Sequence, residues 1–491
     1  MTLPARPVLH EVTTAPESLA LLGRFYRQTY TAEFPHPDER ESLENMEEYL
    51  RKKAQGWYGR NNYHVLLLLD EGAPVAGSII DYLEEPATGV IEFLVVDPRS
   101  RGQGLGRRLL LMTEDALRED ARRAGAEICA IVAEMNDPFR LTPHPDNLDP
   151  FVRASIWHSW GYGRIDFPYV QPALSEDQEP VQNLLLMAKL FEGAGKSARR
   201  RALSAAQVKL AVHEYIRWAM RIEAPADNAE FGSMARFLDE RQRQGRAIEV
   251  EPLGEYVGLP DLLPFRVHEV RAEDDAALAA ALAVYERSFE SRPTVLDRDV
   301  FRAILQSRCH EETGGRYHLW AFESPVTPAV LGMTSFFTFP GIGFGGYLAF
   351  CQALRNRGAL LPAIRCIERA MMEDKLGAEG WFIECEADSK SAVGAERFRR
   401  TGFRELDLDY IQPPLPGAAR IADGDVRLVL LFKRFGADHG LPPTLGKEDF
   451  LRHMEWIFKV VYRMPSPLRS PFFERLKQQI AAWPGTSVRW R

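Results

Sequence analysis

The residues whose types and spacing best suit chemistry lie in one stretch, Ile91 to Leu110, which reads IEFLVVDPRSRGQGLGRRLL. An apolar strand is stopped by Asp97-Pro98. A turn follows, Arg101-Gly102-Gln103-Gly104-Leu105-Gly106, and then a helix with Leu105, Leu109, Met112 and Ala116 along one stripe. A strand that runs through glycines into a helix N-terminus binds phosphate. The glycines let backbone N–H groups face an anion closely, and the helix dipole favours negative charge there. The spacing is not the Gly-x-Gly-x-x-Gly of dinucleotide folds, and no Gly-Lys-Ser/Thr ends it as a P-loop would. A second candidate, GAGKS at Gly193, has Leu190 where a P-loop needs its first glycine.

The pattern Arg-x-x-Gly-x-Gly after apolar-Val-Asp-Pro resembles the acetyl-CoA loop of the GNAT superfamily of N-acetyltransferases. The resemblance implies a mixed α/β fold in which two neighbouring parallel strands splay and acetyl-CoA, the acyl donor, lies in the opening. Here these are the strands Val90 to Val96 and Glu127 to Met135. The pantetheine arm would bond the backbone of Leu94, Val95 and Val96. The diphosphate would sit on Arg101, Gly102, Gln103, Gly104, Leu105, Gly106 and Arg107, and a backbone N–H near Val95 would face the oxyanion. Glu92, at the start of the splayed strand, stands where many members keep a general base. Glu134, ending the next strand, is the competing carboxylate, as base or as holder of a cationic acceptor. The usual tyrosine acid is absent, because Trp157 occupies its position. His158 is adjacent, and Tyr162 and Tyr169 are near in sequence. A polar insert, MNDPFRLTPHPDNLDP, reads as a substrate lid with Asp137, Arg140, His144 and Asp149 as contacts.

The elements that position these residues occur twice. GYGRIDFPYVQPAL near Gly161 returns as GFRELDLDYIQPPL near Gly402, and the shift of Tyr169 to Tyr410 equals that of Gln171 to Gln412. At the same shift HEYIRWAMRI meets MEWIFKVVYRM, pairing Glu214 with Glu455 and Phe231 with Phe472. Asn62-Tyr63-His64-Val65 has its counterpart in Arg316-Tyr317-His318-Leu319. The helix after the second loop repeats the stripe as Leu360, Ile364, Ile367 and Met371. The expected architecture is α/β, two tandem GNAT domains with mixed, splayed central sheets flanked by helices, each with a C-terminal helical extension. The boundaries are 1–192 for the first domain, 193–262 for its extension and a Gly/Pro-containing connector, 263–436 for the second domain and 437–491 for its extension. The aromatic residues of the extensions, Tyr215, Trp218 and Phe231 against Trp456, Phe458, Tyr462 and Phe472, read as core packing.

The second copy is degenerate. Its loop keeps Gly358, but Leu360 replaces the last glycine, Cys351-Gln352 replaces Asp-Pro, and Gly346 replaces Glu92. It reads as a non-catalytic support, with Glu384 and Glu386 left for a different acceptor. The halves are expected to form an intramolecular pseudo-dimer.

Composition sets the outer bounds. The 491 residues carry a net charge of −8, so no global nucleic-acid surface is indicated. Cys129, Cys309, Cys351, Cys366 and Cys385 show no CxxC spacing and read as free buried thiols. No apolar run reaches the ~18 residues that span a membrane, and the start of the sequence has no signal-peptide core, so a cytoplasmic location is expected. The leading expectation is acetyl transfer from acetyl-CoA to a primary amine of a small molecule. The alternatives are a protein lysine or N-terminal acetyltransferase, and a non-catalytic acyl-CoA sensor or scaffold. The sequence names neither the amine nor the acyl chain length.

Overall fold

The computed structural model describes residues 7–35, 40–141, 147–174, 178–191, 202–289, 296–307, 314–355, 357–386, 392–415, 426–437 and 443–491. Its contacts divide the chain into two compact units. The first ends at Leu253; the second begins at Gly254 and takes in Pro138–Leu141. His144, Cys309, the GAGKS stretch and the basic run after it lie outside the described residues.

The first unit runs β1 (Val8–Glu11), α1 (Pro16–Phe25), α2 (Leu43–Ala54), β2 (Asn62–Asp70), β3 (Ala73–Leu83), β4 (Thr88–Val96), α3 (Leu105–Arg123), β5 (Ala130–Asn136), α4 (Pro150–Ser159), β6 (Gly163–Ile165), β7 (Leu184–Leu190), β8 (Ala202–Leu203), α5 (Ala205–Trp218), α6 (Ala229–Arg243) and β9 (Ile248–Pro252). The described strands form one sheet in the order β1-β2-β3-β4-β5-β7-β6-β9-β8. Strands β1 to β4 are antiparallel; short hairpins join β2 to β3 and β3 to β4, while α1 and α2 lie between β1 and β2. The β4–β5 pair is parallel because α3 crosses between them. Tyr30, Tyr63, Val65, Leu67, Ile79 and Val95 pack with α1 and α2 on one face. Val90, Val132, Leu186, Tyr215, Phe231 and Leu238 bury α5 and α6 against the sheet, so the aromatics of the extension are core.

The stretch expected to be a bare connector contains a strand. Ile248–Pro252 pairs with β6 and β8, and Arg164 bonds Glu251 across the β6–β9 pair at 3.0 Å. Its alternation, IEVEP, covers only five residues and carries little signal. Of the insert, residues 142–146 lie outside the described residues. Asp149 accepts the N–H groups of Phe151 and Val152 as the N-cap of α4, and Phe139 packs on Tyr256 in the second unit.

The second unit repeats the plan with β10 (Arg266–Glu269), α7 (Asp275–Ser288), α8 (Arg298–Gln306), β11 (Arg316–Glu323), β12 (Val330–Phe339), β13 (Ile342–Phe350), α9 (Leu360–Glu373), β14 (Gly380–Glu386), α10 (Ala392–Arg399), β15 (Arg404–Glu405), β16 (Tyr410–Ile411), β17 (Arg427–Arg434), α11 (Lys447–Val460) and α12 (Pro471–Ala481). Its described strands run β10-β11-β12-β13-β14-β17-β15, with β16 also on β17. One device recurs in both units. His64 lies between Glu11 and Asp120, at 2.7 Å from each, and ties β2 to β1 and α3. His318 does the same between Glu269 and Asp374 at 3.1 Å.

The structure moves the repeat register by one residue in the extensions. The N-caps of α6 and α12 are Asn228 and Ser470, so Phe231 corresponds to Phe473 rather than Phe472. The left-handed residue after α5 is Arg221, and after α11 it is Arg463.

Candidate active site

Asp97 ends β4 chemically as well as sterically. Its carboxylate accepts the Arg99 N–H at 2.9 Å and the Arg99 guanidinium at 2.6 Å, which holds the carboxyl below the usual carboxylate range. A single turn, Pro98–Ser100, then leads into the loop. Gly102 and Gly104 take φ of +79° and +76°, a region that costs other residues about 1–2 kcal/mol. A Cβ on either would project into open space, so the cradle is bare backbone. Gly106 differs. Its missing Cβ would touch the Trp160 ring and Val96 at 3.5 Å, so this glycine also serves helix packing. Leu105 is buried and seats the helix, while the N–H groups of Leu105, Gly106 and Arg107 have no carbonyl one turn earlier to bond. Gln103 is exposed. Arg101 pairs with Glu33, and Arg107 reaches the Trp160 carbonyl at 3.5 Å. The loop thus offers first-turn N–H groups, two positive-φ glycines and two arginines, and these fit a diphosphate.

The strands beside it splay. Strands β4 and β5 pair only from Thr88–Ala130 to Ile91–Ala133. Beyond that point β4 stays on β3 and β5 stays on β7, leaving the β5-facing edge of Glu92 to Val96 uncovered. The Val95 side chain is in the core, so what this edge presents at Leu94, Val95 and Val96 is largely backbone. A β-bulge falls at the same place. Ile79 pairs with Phe93 and Ile80 with Ile91, so Glu92 is the extra residue. Glu92 therefore sits mid-strand, at the fork, and not at the strand start that the sequence suggested.

The bulge turns Glu92 toward Asp81 on β3, and a third charge comes from far along the chain. Arg221, just past α5, has φ +59° and reaches back over the sheet. Its Nη2 donates to the Tyr58 hydroxyl at 3.0 Å and stands 3.7 Å from Asp81 Oδ1; its guanidinium lies 4.2 Å from the Tyr49 ring centroid. Burial, and then the facing Asp81 carboxyl, push Glu92 well above the carboxylate range, with Arg221 opposing. Among the described residues, six buried polar atoms here lack hydrogen-bond partners: Tyr63 Oη, both Asp81 carboxylate oxygens, Glu92 Oε1, and Arg221 Nε and Nη1. Neither Asp81 oxygen nor Glu92 Oε1 has a donor unless a proton sits between the two carboxyl groups. Of this cluster the sequence reading singled out only Glu92. Asp81 and Arg221 carried no motif, and the shift read from the sequence set Arg221 against Tyr462.

Glu134 lies on β5 just past the fork, clamped by hydroxyls of Tyr169 and Tyr215, and burial raises its carboxyl to about 7. The second unit has the same clamp. Glu384 accepts from Tyr410 at 2.6 Å, Tyr462 at 2.5 Å and Gln412 at 3.4 Å. A clamp kept in the half with the broken loop reads as architecture. His158 sits half-buried in the last turn of α4, and its ring has no hydrogen-bond partner among the described residues. Trp157 is buried against Trp160 and Tyr162, and Tyr162 Oη is buried without a partner. A small apolar cavity lined by Thr88, Val132, Val208, Val212 and Tyr215 lies between the sheet and α5, and none of the charged cluster lines it.

The second unit keeps the splayed pair and the bulge but not the carboxylates. Strands β13 and β14 pair only from Gly343–Trp381 to Gly345–Ile383, and the bulge residue is Gly346. Register across the bulge sets Phe337 where β3 has Asp81. Arg463 keeps the left-handed turn but faces solvent. The Glu386 side chain lies outside the described residues. None of the described His, Cys, Asp and Glu residues group to hold a metal, and no described helix is long and apolar enough to cross a membrane.

Residues 23–138 match the model of the acetyltransferase (GNAT) family. A comparison with curated proteins finds no match. Among solved structures, the chain is similar to a protein assigned to the GNAT acetyltransferases from Bacteroides thetaiotaomicron, at 17% identity over 40% of this chain and 99% of that one, with a TM-score of 0.31. It is also similar to the PaiA N-acetyltransferase of Thermoplasma acidophilum in complex with coenzyme A (12% identity, 38% and 100% of the chains, TM-score 0.26). A third is the ribosomal-protein-alanine N-acetyltransferase of Brucella melitensis (18%, 38% and 99%, TM-score 0.27).

Proposed function

We propose that this chain, an N-acetyltransferase whose first half carries a GNAT domain, moves the acetyl group of acetyl-CoA directly onto the primary amine of a small molecule, with Glu92 as general base. The observation that carries this reading is the buried Glu92 carboxyl at the fork of two splayed strands, one loop away from a bare-backbone phosphate cradle. Acetyl-CoA, when bound, supplies the activated acyl group. The chain's own residues do the rest. N–H groups of Leu105 to Arg107 hold the diphosphate, and the uncovered edge of Leu94 to Val96 bonds the pantetheine arm. Glu92 takes a proton from the incoming ammonium, and a backbone N–H near Val95 faces the developing oxyanion. A thiolate of pKa near ~8.5 leaves readily, so the acid is the least demanding role; His158 is our candidate for it. Glu134, with its oxygens engaged by tyrosines, is assigned to architecture.

Burial of Asp81 and Tyr63, at 1% and 0% exposure, favours a small acceptor over a protein tail. The second unit is proposed as a non-catalytic support. Gly346, Phe337 and Leu360 remove the base, its partner and the cradle glycine together. Thiol release on mixing the chain with acetyl-CoA and a panel of primary amines tests the reading. Tight CoA binding with no release for any amine would favour the sensor alternative and overturn ours.

A further inference from the structure

The cluster around Glu92 has needs of two opposite kinds. Asp81 Oδ1, Asp81 Oδ2 and Glu92 Oε1 are buried acceptors without donors; Tyr63 Oη and Arg221 Nε and Nη1 are buried donors without acceptors. A primary ammonium carries three N–H donors and answers the first set. It leaves the second set unanswered, and each buried unmade bond costs about 1–3 kcal/mol. A ligand that satisfies both sets carries an amine and, a few bonds away, an anionic acceptor.

Arg221 is not adequately explained as a counter-ion for Asp81. It stands off at 3.7 Å instead of hydrogen bonding, because Tyr58 and the Tyr49 ring hold it elsewhere. Those contacts fix the guanidinium and leave Nε and Nη1 unspent. The second unit supplies an internal control. Its Arg463 occupies the same left-handed turn, and where Phe337 and Gly346 replace the carboxylates it points to solvent. The His64 ion triad and the Glu134 clamp, by contrast, recur there as His318 and Glu384. Tyr63 recurs as Tyr317 and Arg221 as Arg463; what changes together is the pair of carboxylates and the exposure of that arginine.

We propose that the acceptor is an amino acid, or a similar amine with a carboxylate close by, and that Arg221 reads that carboxylate while Asp81 and Glu92 face the amine. The inference rests on acetyl transfer at Glu92 and goes beyond it by naming the substrate class. Its test is thiol release from acetyl-CoA with full-length chain. The probes are the free L-amino acids, their carboxamides and the matching decarboxylated amines, each with wild type, R221Q and R221K. For the best amino acid, kcat/KM should exceed that of its decarboxylated amine by about tenfold to a hundredfold, the usual worth of a charge-assisted bond. In R221Q that ratio should fall below about three. In R221K, which keeps the charge and loses the planar fork, it should be intermediate. A wild type that takes decarboxylated amines as well as amino acids overturns the inference while leaving acetyl transfer standing. So does an Arg221 variant that lowers both rates in equal proportion, which a purely structural role would do. No thiol release with any probe overturns the acetyl-transfer reading itself, and this one with it.

Discussion

Replacing Glu92 with glutamine separates a catalytic carboxyl from a structural one. The change is nearly isosteric and falls where one carboxyl oxygen has no partner and a second carboxyl group faces it. The new amide N–H can donate to Asp81, whose oxygens lack donors, so the fold should not suffer. The sign of the pH effect follows from the raised position of Glu92. A buried acid that holds its proton to higher pH than in the unfolded chain destabilises the fold progressively as pH rises above about 4.5. E92Q removes that penalty, so its melting temperature relative to wild type should be equal near pH 4.5 and higher at pH 8. Turnover should move the other way. Loss of a general base costs ~10²–10⁴-fold, about 3–5 kcal/mol of barrier. Affinity for CoA should hold, since the loop glycines and first-turn N–H groups are untouched. The assays are kcat/KM against pH at saturating acetyl-CoA, calorimetry with CoA, and melts at two pH values. Wild-type turnover in E92Q across the pH range would refute the assignment and move the role to Glu134 or water. Loss of CoA binding with loss of turnover would make Glu92 a structural residue of the fork.

Three further outcomes are expected. Calorimetry should find about one CoA per chain, and Gly104→Ala, which forces a Cβ onto φ +76°, should weaken it by roughly tenfold, the equivalent of the about 1–2 kcal/mol strain; two equal sites would contradict the degeneracy of the second loop. His318, held between Glu269 and Asp374, is raised to about 9, so its contribution is complete below about pH 6.5 and is lost as pH rises through about 9. Comparison of wild type with His318→Asn in denaturant melts should show a gap of at most about 3 kcal/mol at pH 6 that shrinks toward pH 10; a pH-independent gap would mean packing, not charge. Finally, a chain cut after Gln244 loses β9, exposing the β6 edge and removing the Glu251 partner of buried Arg164, whereas one cut after Leu253 keeps both. Size-exclusion chromatography should find the shorter piece aggregated and the longer one better behaved.

Some of this protein is written in local sequence. The loop is legible because a positive φ demands glycine and a helix start demands N–H groups near it, and both requirements fall within six residues. Two apolar strands joined through a helix make a parallel pair; that the pair splays is implied only by the resemblance of the loop. The duplication shows itself in Tyr169 and Tyr410, which hold Glu134 and Glu384 alike. Other features wait on tertiary structure. The bulge at Glu92 adds one residue to one strand, and the alternation of Ile91 and Phe93 does not betray it. The extension register slipped by one residue because neighbouring aromatics, Phe472 and Phe473, satisfy the pattern equally well; only the caps choose. The strand Ile248–Pro252 is too short to announce itself and forms because β6 offers an open edge. Most consequentially, Asp81 and Arg221 are distant in sequence and belong to no motif. A β-strand and a left-handed turn become partners only when α5 packs on the sheet, and it is burial there that converts two ordinary surface residue types into an unsatisfied pair of charges.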